Sequence, residues 1–394
     1  MCFAVRCGCR VTRTYDRKVV FYLSIIKLEI MEHHEDAALT HHDHHEGHGH
    51  HEGHGHHSPM ENHSEVHHMI HHTYVFGPDT RYKFELVFNL ILTFSFSAAG
   101  VLTNLVNMVV FMKNGFSETT NINFFALSVS DLMIVIWFLI KNVCENPLLV
   151  HSSPLFVTLR DFFLITIPIY HAVQGYGAWV TAIITVERTV CIVYPLKVKS
   201  IFTPSRVTVV LMCVLLFELG SLVPPYSAMK LVWVISPTTN VSKLHHADDH
   251  SHHGVLSYLI FYTIPSLMSF TIVTIGTAIL VVKLRQSMRW REAAVQKSGQ
   301  EVSQKEAKVA QSVVLICIMF VICYSPCVYI IIKGTMDPHF HFADPYYEHF
   351  IFSYLSVTFF LQSISSSMNM FVYINLSSKY KETFMQVFCS SKVP

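Results

Sequence analysis

Trp179-Val-Thr-Ala-Ile-Ile-Thr-Val-Glu187-Arg188-Thr-Val-Cys-Ile-Val-Tyr-Pro195-Leu-Lys197-Val-Lys199-Ser-Ile-Phe-Thr-Pro204 is the stretch on which the reading of this chain turns. An apolar run ends in the adjacent pair Glu187-Arg188, mostly apolar residues follow, and Pro195 closes the helix ahead of a basic, polar loop. At the end of a membrane span, that pair lies at a membrane face. Ionisable groups at that depth are costly unless they are paired or face protein, so by default they mark function. The competing reading is a helix end that dips its charges among lipid headgroups.

Composition agrees with a membrane setting. Hydrophobic residues make up 51% of the 394 and charged residues only 14%, against about 25% charged in ordinary soluble domains. A net charge of +1 argues for neither nucleic acid nor an acidic substrate as partner, and the informative quantity is where Lys and Arg fall. The 10 cysteines form no CxxC pair and no zinc-finger spacing. Most of those beyond Cys2, Cys7 and Cys9 sit in apolar runs, as small buried hydrophobes do.

Residues 1–30 are basic and carry one short apolar patch, Val19 to Ile26, too short to span. They are expected to be cleaved or not translated, with Met31 as an alternative start. From His33 to His72 the sequence is low in complexity and includes the tandem His45-Glu-Gly-His48-Gly-His50 and His51-Glu-Gly-His54-Gly-His56. With so little apolar surface to bury, residues 1–83 read as a histidine-rich, disordered extracellular tail. His48, His50, His54 and His56 are candidate ligands for Zn²⁺ or Cu²⁺, and imidazoles near their ordinary pKa of about 6.5 also gain charge on mild acidification. Repeat expansion in an unconstrained tail is the plainer alternative. Asn62-His-Ser64 is a glycosylation pattern.

Seven apolar runs follow, at about 84–112, 120–144, 161–187, 206–225, 255–283, 308–333 and 349–374. Each is near or above the roughly 20 residues that a helix needs to cross about 30 Å of hydrocarbon. The fold class is therefore an all-α membrane protein, a seven-helix bundle over 84–376, followed by a cytoplasmic segment, 377–394. Lys113, Arg188, Lys197, Lys199, Arg206, the basic run from Lys283 to Lys308, and Lys379, Lys381 and Lys392 lie on one side. The opposite loops hold Lys141, Arg160, Lys230, Lys243 and Lys333. The richer side is cytoplasmic, which puts the histidine tail outside and the C-terminus inside.

Polar residues inside the runs are the candidate site. Asn104 and Asp131 lie in the first and second, and a mid-span carboxylate needs partners, which Ser365, Ser366, Asn369 and Tyr373 of the seventh offer. A purely structural hydrogen-bonded cluster is the alternative. Pro265 in the fifth run and Pro326 in the sixth each delete a backbone hydrogen bond and create a pivot. In the third run, Tyr170, His171, Gln174 and Tyr176 fall within two helical turns, so part of the set can share a face. The loop from about 226 to 255 carries the pattern Asn240-Val-Ser242 and a second histidine cluster that includes His250 and His252, further candidate metal ligands. After the seventh run, basic and apolar residues alternate at helical spacing up to Cys389, which suits a helix on the membrane surface with Cys389 as a lipidation site.

Taken in order, Asn104, Asp131, Glu187-Arg188 with Pro195-Leu, Pro265, Phe320 with Cys323-Tyr324-Ser-Pro326, and Asn369 with Tyr373 resemble the rhodopsin-like (class A) G-protein-coupled receptors over about residues 84–389. In flavour they are similar to invertebrate chemosensory and neuropeptide receptors. The resemblance implies a receptor that binds a small chemosensory molecule or a neuropeptide outside and activates a heterotrimeric G protein inside. It implies that Glu187, Arg188, Glu306, Asn369 and Tyr373 serve coupling, with Glu306, twenty residues before Pro326, as a second acid restraining Arg188. It implies Na⁺ near Asp131 in a network with Asn104, Ser365 and Ser366, and a pivot at Pro265, Phe320, Tyr324 and Pro326. Tyr170, His171, Gln174 and Tyr324 fall at ligand depth, and no cofactor is required. Several positions depart from the family: Thr189 for Tyr, Met370 for Pro, Gly177 for Ser, Tyr324 for Trp and Val273 for Tyr. Both cysteines of the usual extracellular disulfide are missing, Phe163 standing at one position.

A divalent-metal (zinc) transporter with histidine-rich tracts is the second reading, but transport needs ligands at mid-membrane and, apart from His349 at the very start of the seventh, His171 is the single histidine within a run. No run carries a His/Glu or Ser/His/Asp constellation, so an enzyme is not expected. The orientation makes a direct prediction. Asn62 and Asn240 carry sugar and Asn375, in Asn-Leu-Ser377, does not; an epitope inserted at residue 60 stains on intact cells. Staining only after permeabilisation overturns the topology.

Overall fold

The computed structural model describes residues 75–149, 154–235, 242–248, 259–293, 300–337, 339–340 and 344–389. Seven helices have the length and hydropathy to cross a membrane: span one Pro78–Asn114, span two Thr119–Cys144, span three Ile167–Val193, span four Pro204–Ser227, span five Leu259–Gln286, span six Val309–Gly334 and span seven Glu348–Asn375. They match the seven expected runs in number and order. Among the described residues the exception to helix is an antiparallel hairpin after span four, β1 (Met229–Ile235) with β2 (Ser242–Asp248), pairing Met229 with Asp248 and Ile235 with Ser242. The hairpin falls in the stretch expected as loop, and its Leu-Val-Trp-Val-Ile is rich in β-branched and aromatic residues.

Helix boundaries follow local chemistry. Span one starts at Pro78, ahead of its apolar run, with extended Gly77 as cap and Asp79 in the first turn. Proline costs nothing where the first N–H has no intrahelical partner, and an acid there suits the helix dipole. Arg81 then reaches across the bundle. It pairs with Glu85 at 2.8 Å and Glu348 at 3.1 Å and lies 4.0 Å over the Phe352 ring, fastening the start of span one to the start of span seven. Span one ends at Gly115, whose φ of 76° is a region that favours glycine.

The third run is not one helix from 161. A short helix, Pro154–Leu164, ends first, a turn passes through Ile165 and Thr166, and span three begins at Ile167 and continues to Val193. The cause is Pro168, which has no N–H for the carbonyl of Leu164 and would clash with it in a continuous helix. The freed turn is pinned from two sides. Thr166 Oγ1 donates to Phe163 O at 2.6 Å and accepts from Trp137 Nε1 at 3.0 Å, and the Tyr226 hydroxyl donates to Ile165 O at 2.7 Å. Phe163, where the resemblance places a disulfide cysteine, is 3% exposed and packs 4.9 Å from the Trp137 ring.

Two other prolines are accommodated differently. Pro326 lies inside the helix of span six, and the carbonyl of Ile322 that it leaves unbonded accepts instead from Ser325 Oγ at 2.9 Å. Pro265 follows a widened, π-helical turn, Leu259–Thr263, at the start of span five. Small residues bring span one close to spans two and seven: the Ser367 hydroxyl donates to Phe96 O at 2.8 Å, Thr103 Oγ1 donates to Ser367 O at 3.1 Å, and a Cβ at Gly100 would fall 2.9 Å from Val135. Without a hydrophobic drive between helices in lipid, such close backbone approach and hydrogen bonding hold spans together.

The largest apolar cluster lies toward the Arg188 end of the bundle and includes Val110, Phe111, Phe124, Leu127, Ile184, Val313, Cys317, Tyr373 and Tyr380. Tyr380 belongs to the short helix Ser378–Phe384 after span seven, capped by the Ser377 hydroxyl. Its ring sits 5.4 Å from both Phe111 and Tyr373, and its hydroxyl donates to Asn107 Oδ1 at 2.6 Å. Thr383 adds a bond to Asn114 Oδ1 at 2.6 Å, so the tail helix is docked on span one rather than resting on a surface alone. Cys389 is exposed at the end of the following turn. Tyr380→Ala is expected to destabilise the bundle by about 3–5 kcal/mol, as for other buried aromatics, and Tyr380→Phe by about 1–3 kcal/mol because Asn107 loses a donor. Thermal unfolding of the detergent-solubilised protein reads both, and equal midpoints for parent and Tyr380→Ala would refute the docking.

Candidate functional site

Glu187 and Arg188 stand one turn and a half before the end of span three. Glu187 is 2% exposed. A buried carboxylate needs several donors to offset its desolvation, and it has them: Thr119 Oγ1 at 2.5 Å, Asn123 Nδ2 at 2.5 Å and the Arg188 guanidinium at 2.6 Å. Arg188 also donates to Thr120 Oγ1 at 2.6 Å. The pair therefore faces span two and is not dipped among headgroups. Sequence reasoning missed Thr119, Thr120 and Asn123. Their signal was the polar start of span two, Thr119-Thr120-Asn121-Ile-Asn123, whose first and fifth residues share a helix face. The Glu306 backbone belongs to the helix Gln300–Met336, and its side chain lies outside the described residues. One turn before the pair, Thr185 Oγ1 and Cys317 Sγ meet at 3.1 Å, joining spans three and six.

Asp131 lies at the centre of the bundle. Asn369 Nδ2 donates to its Oδ2 at 2.7 Å and the Ser366 hydroxyl bonds it as well, so two of the four expected partners on span seven reach it. Asn104 joins through the backbone, donating to Gly100 O at 2.9 Å and Ser366 O at 2.8 Å. Ser365 engages Cys323 through its backbone. The Tyr373 hydroxyl has no hydrogen-bond partner, its ring instead packing 5.2 Å from Phe111 and 4.7 Å from Phe124. Beside Asp131 is a cavity of about 40 Å³ whose lining includes Gln174, Gly177, Thr181, Phe320, Tyr324, Ser365, Ser366 and Asn369. That volume holds a water or two or a small ion, and not an organic ligand.

Two of the pivot residues, Phe320 and Tyr324, line this cavity. Phe320 and Tyr324 stack at 5.1 Å, and Phe270 of span five lies 6.0 Å from Tyr324. Span-three residues grouped by sequence are separated by the fold. Tyr170 turns toward spans two and seven, stacking on Trp137 at 4.3 Å and donating its hydroxyl to Gln362. His171 turns toward span five, its ring 5.6 Å from Tyr262. Gln174 points to the cavity, and its Oε1 is buried without a partner.

A residue not singled out from sequence is Glu218 of span four. It is 3% exposed, and neither carboxylate oxygen has a hydrogen-bond partner. Its signal was as plain as that of Asp131: a single acid in the apolar run Val-Leu-Leu-Phe-Glu218-Leu. Of the other candidates, His48, His50, His54, His56, His250, His252, Asn62 and Asn240, together with residues 1–30, lie outside the described residues. Among the described residues no group of three or more His, Cys, Asp or Glu is placed to hold a metal ion.

No curated protein matches the chain. The family model for the 7 transmembrane receptor (rhodopsin family) matches residues 103–373. Its span runs from Thr103, beside Asn104, through Asp131, Glu187-Arg188 and Pro326 to Tyr373, and covers more than half of the sequence. With seven membrane-crossing helices and these residues at their ends and centre, the chain is a multi-pass membrane protein that belongs to the rhodopsin family of seven-transmembrane receptors, a family of non-enzymatic G-protein-coupled receptors.

Proposed function

We propose that the protein binds an extracellular ligand between its spans and, in response, activates a heterotrimeric G protein at the end of the bundle that carries Arg188. The histidine-rich tail lies outside, and a chemosensory ligand is favoured slightly over a neuropeptide. The observation that carries the reading is the buried Glu187, which withdraws Arg188 into the bundle against Thr120. Held there, the guanidinium is unavailable to a partner, while Thr185 and Cys317 keep spans three and six together. Such a geometry suits a resting state. Release requires span six to swing about Pro326, where Ser325 already satisfies the carbonyl that a bend exposes.

Na⁺ is the cation proposed for the Asp131 cavity. The donor set fits a small monovalent ion: the Asp131 carboxylate, the Ser366 hydroxyl and the orphaned Gln174 Oε1 offer oxygens, although Gly177 supplies none. These residues would hold the ion, whose charge would stabilise the ionised carboxylate. No catalytic step is involved. Zn²⁺ or Cu²⁺ on the external histidines is proposed as a modulator.

Arg188→Ala should weaken ligand-stimulated nucleotide exchange on a G protein while leaving ligand binding within about twofold. Glu306→Ala should remove one contact of about 1 kcal/mol from the resting state if that contact is partly wet, raising basal exchange roughly fivefold at matched surface expression. Unchanged basal exchange would make Glu306 a solvated charge at the foot of a helix. Asp131→Asn should abolish any difference in thermal stability between Na⁺ and a bulky organic cation of equal ionic strength; a difference that survives the substitution places the ion elsewhere.

A further inference from the structure

Glu218 is buried, acidic and without a donor, and the fold has made room for it. On span three the residue opposite is Gly175, where an added Cβ would fall 2.6 Å from Glu218 Oε1 and 2.8 Å from its Cδ. Nearby hydroxyls are committed elsewhere. Ser221 Oγ donates to the backbone carbonyl of Glu218 at 2.6 Å, and the Tyr262 hydroxyl donates to Ser221 O at 2.9 Å. Tyr262 and Tyr324 both lie within electrostatic range of the carboxylate, and the His171 ring, one turn from Gly175, packs on Tyr262. A charge at this depth without a partner is a large cost that packing alone does not explain. What the cluster lacks is a positive donor, and aromatic faces around a carboxylate are the surroundings that organic cations favour.

We propose that Glu218, set among His171 and Gly175 of span three, Tyr262 of span five and Tyr324 of span six, is the counter-ion for a protonated amine or guanidinium carried by the ligand. This rests on the receptor reading and adds the chemical class of what the receptor detects. The cation can belong to a free arylalkylamine or to a basic side chain of a peptide. Gly175 is then a specificity element, since a Cβ there would collide with the Glu218 carboxylate and displace it.

The test uses the full chain in lipid nanodiscs and reads its thermal midpoint across titrations of two matched pairs: phenethylamine with 2-phenylethanol, and N-acetyl-lysinamide with N-acetyl-norleucinamide. At least one cation should raise the midpoint with an apparent affinity about tenfold or more above that of its neutral twin, the factor that a charge-assisted hydrogen bond supplies. Glu218→Gln, which keeps the shape, should erase the preference, and Gly175→Ala should weaken the same response. A shift with phenethylamine alone identifies a free amine, and one with the lysine derivative alone a basic side chain. Equal shifts for cation and neutral twin, a preference that survives Glu218→Gln, or no shift with either cation would overturn the assignment. Basal nucleotide exchange on the same preparations, compared with Arg188→Ala, separates the two claims: exchange that depends on Arg188 while the cations do nothing leaves the receptor standing and removes this site alone.

Discussion

Inside hydrocarbon no water is available to complete a hydrogen bond, so each polar group in a span must find its partner within the bundle. Most of the architecture answers that constraint. Ser325 takes up the carbonyl that Pro326 leaves open, Thr166 and Tyr226 take up the turn that Pro168 forces, and Thr103, Ser367 and Asn104 bond the backbones of neighbouring spans. Two buried acids with partners, Asp131 and Glu187, join span two to span seven and span three to span two. Helix packing and charge satisfaction are here the same set of contacts.

The Trp137 cluster shows how a familiar restraint is replaced by another of different chemistry. Where the resemblance places a third-span cysteine, this chain has Phe163. A covalent tie limits the unfolded chain. An aromatic cluster of Trp137, Phe138, Phe163, Tyr170 and Phe359 acts on the folded state through buried area and ring geometry. It also consumes Tyr170, whose hydroxyl is spent on Gln362, and leaves His171 to face the span-five side.

The number, order and approximate extent of the spans were legible because a run of about 20 apolar residues has one stable outcome in a bilayer. Glu187-Arg188 and Asp131 were legible because charge in such a run is rare. Direction was not. Tyr170 and His171 are adjacent, and a rotation of about 100° per residue sends them to different neighbours, which only the packing of span three reveals. The break at Ile165 needed the proline rule applied to a run that hydropathy alone reads as continuous. Docking of Tyr380 onto Asn107 joins residues that no local pattern connects. Glu218 was legible by the rule that found Asp131, but its importance comes from the absence of a donor, which is a fact of three dimensions.

Tyr373 carries the argument from structure to switching. Its ring is held by Phe111, Phe124 and Tyr380, while its hydroxyl, fully enclosed, bonds nothing. A buried hydroxyl without a partner costs about 1–3 kcal/mol, so this packing is kept by the aromatic contacts in spite of the hydroxyl. Any arrangement of spans six and seven that gives the hydroxyl a donor or acceptor recovers that energy as the ring contacts are lost. Two packings that trade terms of similar size are close in free energy, and close free energies are what allow a ligand with a modest preference to choose between them. Under the proposed switch, the unsatisfied hydroxyl would lower the cost of leaving the packing in which Glu187 holds Arg188.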